Sequence, residues 1–315
     1  FYHEPANRNT PVDLGAQRDK LLYLTDVIRI GMAGNLRNFR FLSFRGENTT
    51  GGSYPYGGGA TGLAEEPEET INYISAHDGY TFFDALQAKL PFYSRFRDPA
   101  TAPIQERLER QILSVGMLAL SQGIPFFDSG IEILRSKSGD QNSYDSGDWF
   151  NQLDWSYTEN GWGRGLPPEH TNGGDWLFWR PRLAEESLKV GSAEIRAMKR
   201  AFLEILTLRK EIPLFRLRSA REIQDRVRFL DSELGPMQTP GMLVMEISDE
   251  GENLDPRWRR VIVTVNATNT TQVFSHPSLR ARLFQKLAGS ADAFPTRDSQ
   301  LRLPPRSLTV WGEAE

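Results

Sequence analysis

Cysteine is absent from all 315 residues, which excludes disulfides, thiolate metal sites and a cysteine nucleophile. Long apolar runs are missing too, and none approaches the ~20 residues that a membrane-spanning helix needs. Neither sign of charge is in excess: 37 Lys and Arg stand against 41 Asp and Glu, a net charge of −4. With no Lys/Arg-rich block either, nucleic acid and anionic membrane are poor partners. Only four histidines occur; His3, His170 and His276 lack metal-like spacing and read as surface residues. Phe1 to Pro5 carries neither the basic nor the apolar region of a signal peptide, and it reads as the middle of a longer polypeptide rather than the start of a domain.

What is present is enough chain for one large domain and a small one. Asp19 to Ala33 places Leu21, Leu22, Leu24, Val27, Ile28 and Ile30 at helical spacing, and Gly34-Asn35 ends it as a cap would. Ile104 to Ser121 and Ala193 to Lys210 carry the same period, and Thr81 to Lys89 a shorter one. Residues 43–62, with Gly57-Gly58-Gly59, read as a surface loop. Ile71 to Ser75 and Ile124 to Phe127 read as buried strands separated by helix, the rhythm of a parallel α/β barrel. A complete barrel takes roughly 250 residues, and only about two of its strands can be found before residue 135, so the rest is expected from outside the chain. Asp128 to Asp175 is a long polar segment suited to substrate binding. From about Arg216 the pattern changes to short alternating runs such as Met242 to Ile247 and Val261 to Asn266, an antiparallel β-sandwich of about a hundred residues. Arg257 to Arg260 reads as a solvated turn before a strand.

The most informative stretch is Ile71-Asn72-Tyr73-Ile74-Ser75-Ala76-His77-Asp78, an apolar run that ends in an imidazole and a carboxylate. Such a pair can hold a polar substrate by charge-assisted hydrogen bonds, and parallel barrels build their sites at strand C-termini. Alone, His-Asp would be an ordinary turn or helix cap. It does not stand alone. Gly31 to Arg40, Leu120 to Phe127, the block Leu134-Arg135-Ser136-Lys137-Ser138 with Asn142 to Asn151, and Gln238 to Met245 follow in the same order as in one family. In these segments the chain resembles the type I pullulanases, debranching enzymes of the α-amylase clan, over nearly its whole length.

The resemblance implies the C-terminal part of a TIM (β/α)8 barrel over residues 1–212, followed by a β-sandwich over 216–315. It implies cleavage of α-1,6 branch linkages in pullulan, amylopectin or limit dextrins by a retaining mechanism with two carboxylates. Asp78 matches the family's third carboxylate, which grips and distorts the glucosyl ring, and His77 matches the histidine bonded to the same sugar. Asp148 matches the aspartate of the subsite next to the scissile bond, although Gln152 stands where the family commonly has Arg. Gly79 replaces the usual Asn after His-Asp, and Tyr80 is a candidate replacement donor. Arg135 and Trp149 are further substrate-binding candidates, as are Lys137, Asp145, Trp155 and Trp162, each with loop-organising or packing as the plainer alternative.

The nucleophile Asp and the acid Glu are not found. Asp231 follows an Arg as the nucleophile does, but it comes after His77-Asp78, and it reads as structural, as does Glu132. The chain is therefore expected to need the preceding N-terminal part of the same polypeptide and to be inactive alone. Asp140 to Asp145 fails the EF-hand pattern because Tyr144 takes the fifth position and Asp145 the sixth; no cofactor is required, and structural calcium in the parent enzyme stays open. The sequons at Asn48, Asn266 and Asn269 carry little weight. Location leans toward a secreted bacterial enzyme rather than a cytoplasmic one. The competing readings are an isoamylase-like or glycogen-debranching relative, and a non-catalytic carbohydrate-binding protein that kept the His77-Asp78 pair.

Overall fold

The structure, a computed structural model, describes residues 14–90, 102–249, 253–295 and 300–314. His3 and the Phe1 to Pro5 segment lie outside the described residues. The chain divides into two compact units, one of residues 15–72, 113–126 and 204–315, the other of the intervening stretches. No described helix is long and apolar enough to cross a membrane.

In the first of these units, helix Leu14–Met32 buries Leu22, Leu24 and Ile30. It stops where Gly34 and Asn35 take positive φ values of 82° and 57°, the left-handed C-cap that ends many helices. Ala33 forms a parallel bridge with Gln122, and Ile71–Asn72 pairs in parallel with Ile124–Pro125. Both strands are shorter and wetter than their composition predicts. Only two residues of each pair, and Ile71 and Ile124 are 57% and 44% exposed. Burial on both faces needs cover on each, and among the described residues Ile71–Asn72 has a ladder partner along one edge only. Residues 43–62 are not an open loop. They carry strands Asn48–Thr50, Pro55–Tyr56 and Gly59–Ala60. A Cβ on Gly51 would lie 2.2 Å from the Leu36 carbonyl oxygen, so only glycine permits that approach.

Residues 227–314 form two antiparallel sheets. Five strands run in the order Gln285–Gly289, Ser307–Ala314, Trp258–Asn266, Met242–Ser248 and Val227–Phe229; three more run Gln272–Phe274, Leu301–Leu303 and Phe294–Pro295. Met242 to Ile247 are all buried, where alternation would leave every second residue wet. Cover on the second face explains this. A Cβ on Gly116 would meet Leu308 at 2.9 Å, so helix Ile104–Leu120 lies tight against strand Ser307–Ala314. The other face carries a core of Val244, Ile262, Phe274, Leu301, Leu303 and Trp311. The Trp311 indole N–H donates to Thr264 Oγ1 at 3.0 Å, so its burial leaves no orphan donor.

Two charged features differ from the sequence reading. Arg260 is not in a solvated turn: the strand already starts at Trp258, and Arg260 is 6% exposed between Glu246 and Glu313, each at 2.6 Å. His276 is not a surface residue. It is 8% exposed, its ring stacks on Phe274, and Nε2 lies 3.1 Å from Glu233.

The second unit has little regular structure beyond helices. Helix Phe82–Lys89 opens with Thr81 Oγ1 accepting the Asp84 N–H at 3.2 Å. Short turns Ser143–Asp145, Asp148–Asn151 and Glu169–Asn172 lie within the long polar segment. Its core is aromatic. Phe83, Trp162, Trp179 and Phe178 meet edge to face with centroids 5.0–6.0 Å apart, and the Arg107 guanidinium lies over Phe83 and Trp162. Such contacts add to burial of the rings themselves. Trp162, a candidate sugar stacker by sequence, is a member of this core at 6% exposure.

Candidate active site

Residues 73–80 carry no regular structure, and His77 and Asp78 sit in a bend followed by Gly79 at a φ of 71°. Their side chains are 87% and 86% exposed, with His77 Nε2 3.6 Å from the Asp78 carboxylate. Folding therefore does not bury this pair. What holds it is backbone. The His77 carbonyl oxygen accepts from Lys137 Nζ at 3.1 Å, and helix Phe82–Lys89 begins four residues beyond Asp78.

That helix supplies a carboxylate the sequence analysis passed over. Asp84 is fully buried. It accepts from Ser136 Oγ at 2.6 Å and from the backbone N–H groups of Lys137 and Gly139 at 2.9 and 3.2 Å. Burial pushes its carboxyl above the usual carboxylate range, opposed by these hydrogen bonds. Asp84 thus ties the Arg135 to Gly139 segment to the helix after His77-Asp78. The available signal was Thr81-Phe82-Phe83-Asp84, a Ser/Thr-x-x-acid start of a helix.

Lys137 is 2% exposed, and its Nζ also donates to Ser143 Oγ at 2.7 Å. Burial pulls the ammonium down, while the charges of Asp140 and Asp84 support it. Ser143 in turn gives its carbonyl to Asn151 Nδ2 at 2.8 Å. Asn151 closes the single helical turn that starts at Asp148. Asp148 and Trp149 are exposed, and Trp149 at 58% is oriented by its indole N–H donating to the Arg164 carbonyl at 2.8 Å. Gln152 is exposed, with its amide 3.5 Å from the Trp149 carbonyl.

Of the other candidates, Arg135 and Tyr80 are more enclosed, whereas Asp145 and Trp155 are exposed. Arg135 donates to the Asn151 carbonyl at 2.6 Å, and its side chain is 13% exposed. Tyr80 gives its hydroxyl proton to Asp175 at 3.0 Å and accepts from the Trp179 indole at 3.3 Å. Asp145 lies 3.9 Å from His170, and Trp155 is 54% exposed. Asp140 is buried and accepts from Asn172 Nδ2 at 2.9 Å. Among the described residues no group of three or more His, Cys, Asp or Glu is placed to hold a metal.

Two decoys resolve by geometry. Asp231 is 2% exposed, 2.5 Å from Arg29 and bonded to the Val244 N–H at 2.9 Å; Glu132 accepts from the Gly130 N–H at 3.0 Å. A cavity of about 760 Å³ in the other unit is lined by Arg221, Arg226, Arg228, Arg260 and Arg282. Its charges are largely matched: Arg226 with Asp249 at 3.0 Å, Arg228 with Glu233 at 2.8 Å, Arg282 with Glu313 at 3.0 Å.

With this geometry in view, residues 157–313 match the family described as alpha-1,6-glucosidases, pullulanase-type, C-terminal. The chain is 40% identical to the chloroplastic pullulanase 1 of Arabidopsis thaliana over 96% of its own length and 32% of that protein. It is 35% identical to a pullulanase of Klebsiella pneumoniae over 94% of its length and 28% of the relative. The crystal structure of Klebsiella pneumoniae pullulanase complexed with maltotriose superposes with a TM-score of 0.87 at 30% identity, covering 99% of this chain and 29% of the other. The chain thus spans about a third of the length of the curated relatives it matches. By family model, sequence and structure together, the chain is a C-terminal portion of the pullulanase family.

Proposed function

We propose that this chain supplies the sugar-gripping part of a debranching glycoside hydrolase that cleaves α-1,6 linkages in pullulan, amylopectin or limit dextrins. The observation that carries the reading is the exposed His77–Asp78 pair, presented on a braced turn and left unburied by folding. Asp78 acts as the third carboxylate. It accepts hydrogen bonds from hydroxyls of the glucosyl ring, and these strengthen as the ring flattens toward an oxocarbenium-like transition state. His77 binds the same ring. Asp148, Tyr80, Arg135 and Trp149 line the neighbouring subsite, with the exposed Trp149 face available for stacking on a sugar. The nucleophile Asp and the acid Glu belong to the N-terminal part of the polypeptide, in the same reading. A secreted setting is part of it as well, beside a relative whose name is chloroplastic.

The fold reading goes with it: residues 1–212 as the closing part of a TIM (β/α)8 barrel, and 216–315 as a β-sandwich. The parallel pairing of Ile71–Asn72 with Ile124–Pro125 across helix Ile104–Leu120 supports the first, and the five- and three-stranded antiparallel sheets support the second.

The test is hydrolysis of pullulan by the full-length protein that carries this chain, followed by reducing ends and product size. Release of maltotriose is expected. A well-folded full-length protein that leaves every α-1,6 bond intact while still binding the glucan would replace this reading with a carbohydrate-binding one.

A further inference from the structure

We infer that Lys137 is a positioning residue: its buried ammonium sets the His77–Asp78 turn against the Ser143–Asn151 segment, so one side chain registers both parts of the sugar-binding surface. The inference rests on the debranching reading above and adds to it a residue that touches no sugar.

The side chains of the His77–Asp78 turn do not hold it in place. The His77 and Asp78 side chains are exposed, Gly79 brings no side chain, and residues 73–80 form no regular structure. A short turn of this kind samples several conformations unless its backbone is tied. Tyr80 anchors the far end of the segment, and the tie at the His77–Asp78 pair itself is the His77 carbonyl oxygen, 3.1 Å from Lys137 Nζ. The same ammonium reaches Ser143 Oγ at 2.7 Å. From Ser143 the path continues through its carbonyl to Asn151 Nδ2 at 2.8 Å, and that amide also donates to the Gly147 carbonyl at 3.0 Å. Asn151 thereby fixes both flanks of the turn that carries Asp148 and Trp149.

Lys137 is itself fixed at its base. Its backbone N–H donates to Asp84 on the helix that follows the turn. The His77–Asp78 turn is thus referenced to Asp84 through the chain on one side and through Lys137 Nζ on the other.

A buried ammonium is an expensive way to fill space. Replacing a whole buried ion group by apolar side chains is often neutral or stabilising in other proteins. A methionine of similar length would fill the niche without needing acceptors. Filling the niche alone therefore does not call for a lysine here, whereas alignment of two sugar-binding segments does, because charge-assisted bonds are short and directional.

The experiment uses the full-length protein with pullulan as substrate. Lys137→Met should leave the melting temperature within a few degrees of wild type, and kcat/KM should fall on the order of 10²-fold, the scale of a 1 Å misplacement. Ser143→Ala, which removes one arm, should cost about tenfold, the scale of one hydrogen bond. The double variant should be no slower than Lys137→Met, because both act through one contact. Lys137→Arg, which keeps a cation with several donors, should recover part of the loss. Lys137→Met with wild-type kcat/KM, or strictly multiplicative losses in the double variant, would overturn the inference while the debranching reading stands. If Lys137→Met does not fold, Ser143→Ala decides, and wild-type kinetics there overturn it. An inactive wild-type protein would remove the debranching reading and this inference with it.

Discussion

Two charge clusters in this molecule use the same residue types to opposite ends. Around Arg29 everything is inside. The guanidinium is fully buried between Asp26 and Asp231, Asp26 also accepts from the Phe44 N–H and the Tyr54 hydroxyl at 2.8 Å, and Asp231 takes the Val244 N–H. Around Asp78 nothing is inside: an 86% exposed carboxylate has, among the described residues, His77 at 3.6 Å as its ion-pair partner. A buried cluster whose two carboxylates are each held by the same cation and by backbone or hydroxyl donors has spent its chemistry on the fold. An exposed pair on a tethered turn has spent none of it. The comparison explains why Asp231 imitates a nucleophile in sequence yet has no capacity left for a substrate.

The comparison can be broken most forcefully at Arg29. Arg29→Met leaves two buried carboxylates facing each other without a cation, and it should cost about 3–5 kcal/mol of stability. Chemical denaturation of the full-length protein measures it, and kcat of the folded fraction on pullulan should not change. An unfolding midpoint equal to wild type would mean the cluster is not the fold element described.

Asp84→Asn comes next, because an amide has one accepting oxygen: turned to the N–H groups of Lys137 and Gly139, it leaves the Ser136 hydroxyl proton without its acceptor, and turned to Ser136 it leaves both N–H groups without theirs. A loss of about 1–3 kcal/mol follows from leaving such donors unsatisfied. Unlike Arg29→Met, it should also lower kcat/KM, since Asp84 braces the segment that holds His77. A purely thermal effect with unaltered kinetics would separate Asp84 from the site.

Smaller effects belong to the exposed side. His77→Ala should lower kcat/KM by about tenfold, the scale of one hydrogen bond, with no change in melting temperature. Trp149→Ala should raise KM for pullulan about three- to tenfold with kcat nearly constant, because stacking binds ground and transition states alike at about 0.5–1.5 kcal/mol. A fall in kcat without a change in KM would move Trp149 from binding to positioning.

The sequence was most legible where one period runs long. Ile104–Leu120 and Ser192–Glu211 fall within a residue of the ends that apolar spacing and flanking Gly predict, and Leu14–Met32 stops where Gly34-Asn35 says it must. It was least legible where a contact far along the chain decides. Ile71 to Asp78 has the composition of a buried strand, but strand length is set by partners, and among the described residues only Ile71–Asn72 finds one. Arg260 and His276 look like surface residues until the sheet brings Glu246, Glu313 and Glu233 beside them. At the site, His77-Asp78 stood out by residue type. Asp84 did not, since a buried carboxylate and a helix-capping one look alike in sequence, and the donors that use it lie more than 50 residues away.

The measurement that bears most directly on the contrast is a paired one on the full-length protein: Asp78→Asn and Asp231→Asn, each assayed for pullulan kinetics and thermal melting. Asp78→Asn should lower kcat and kcat/KM together by about 10²–10⁴, the scale of removing a charged, preorganised stabiliser, and leave the melting temperature unchanged. Asp231→Asn should do the reverse, lowering the melting temperature while the folded protein turns over pullulan at nearly the wild-type rate. Near-normal turnover in Asp78→Asn, or abolished turnover in a well-folded Asp231→Asn, would contradict the account.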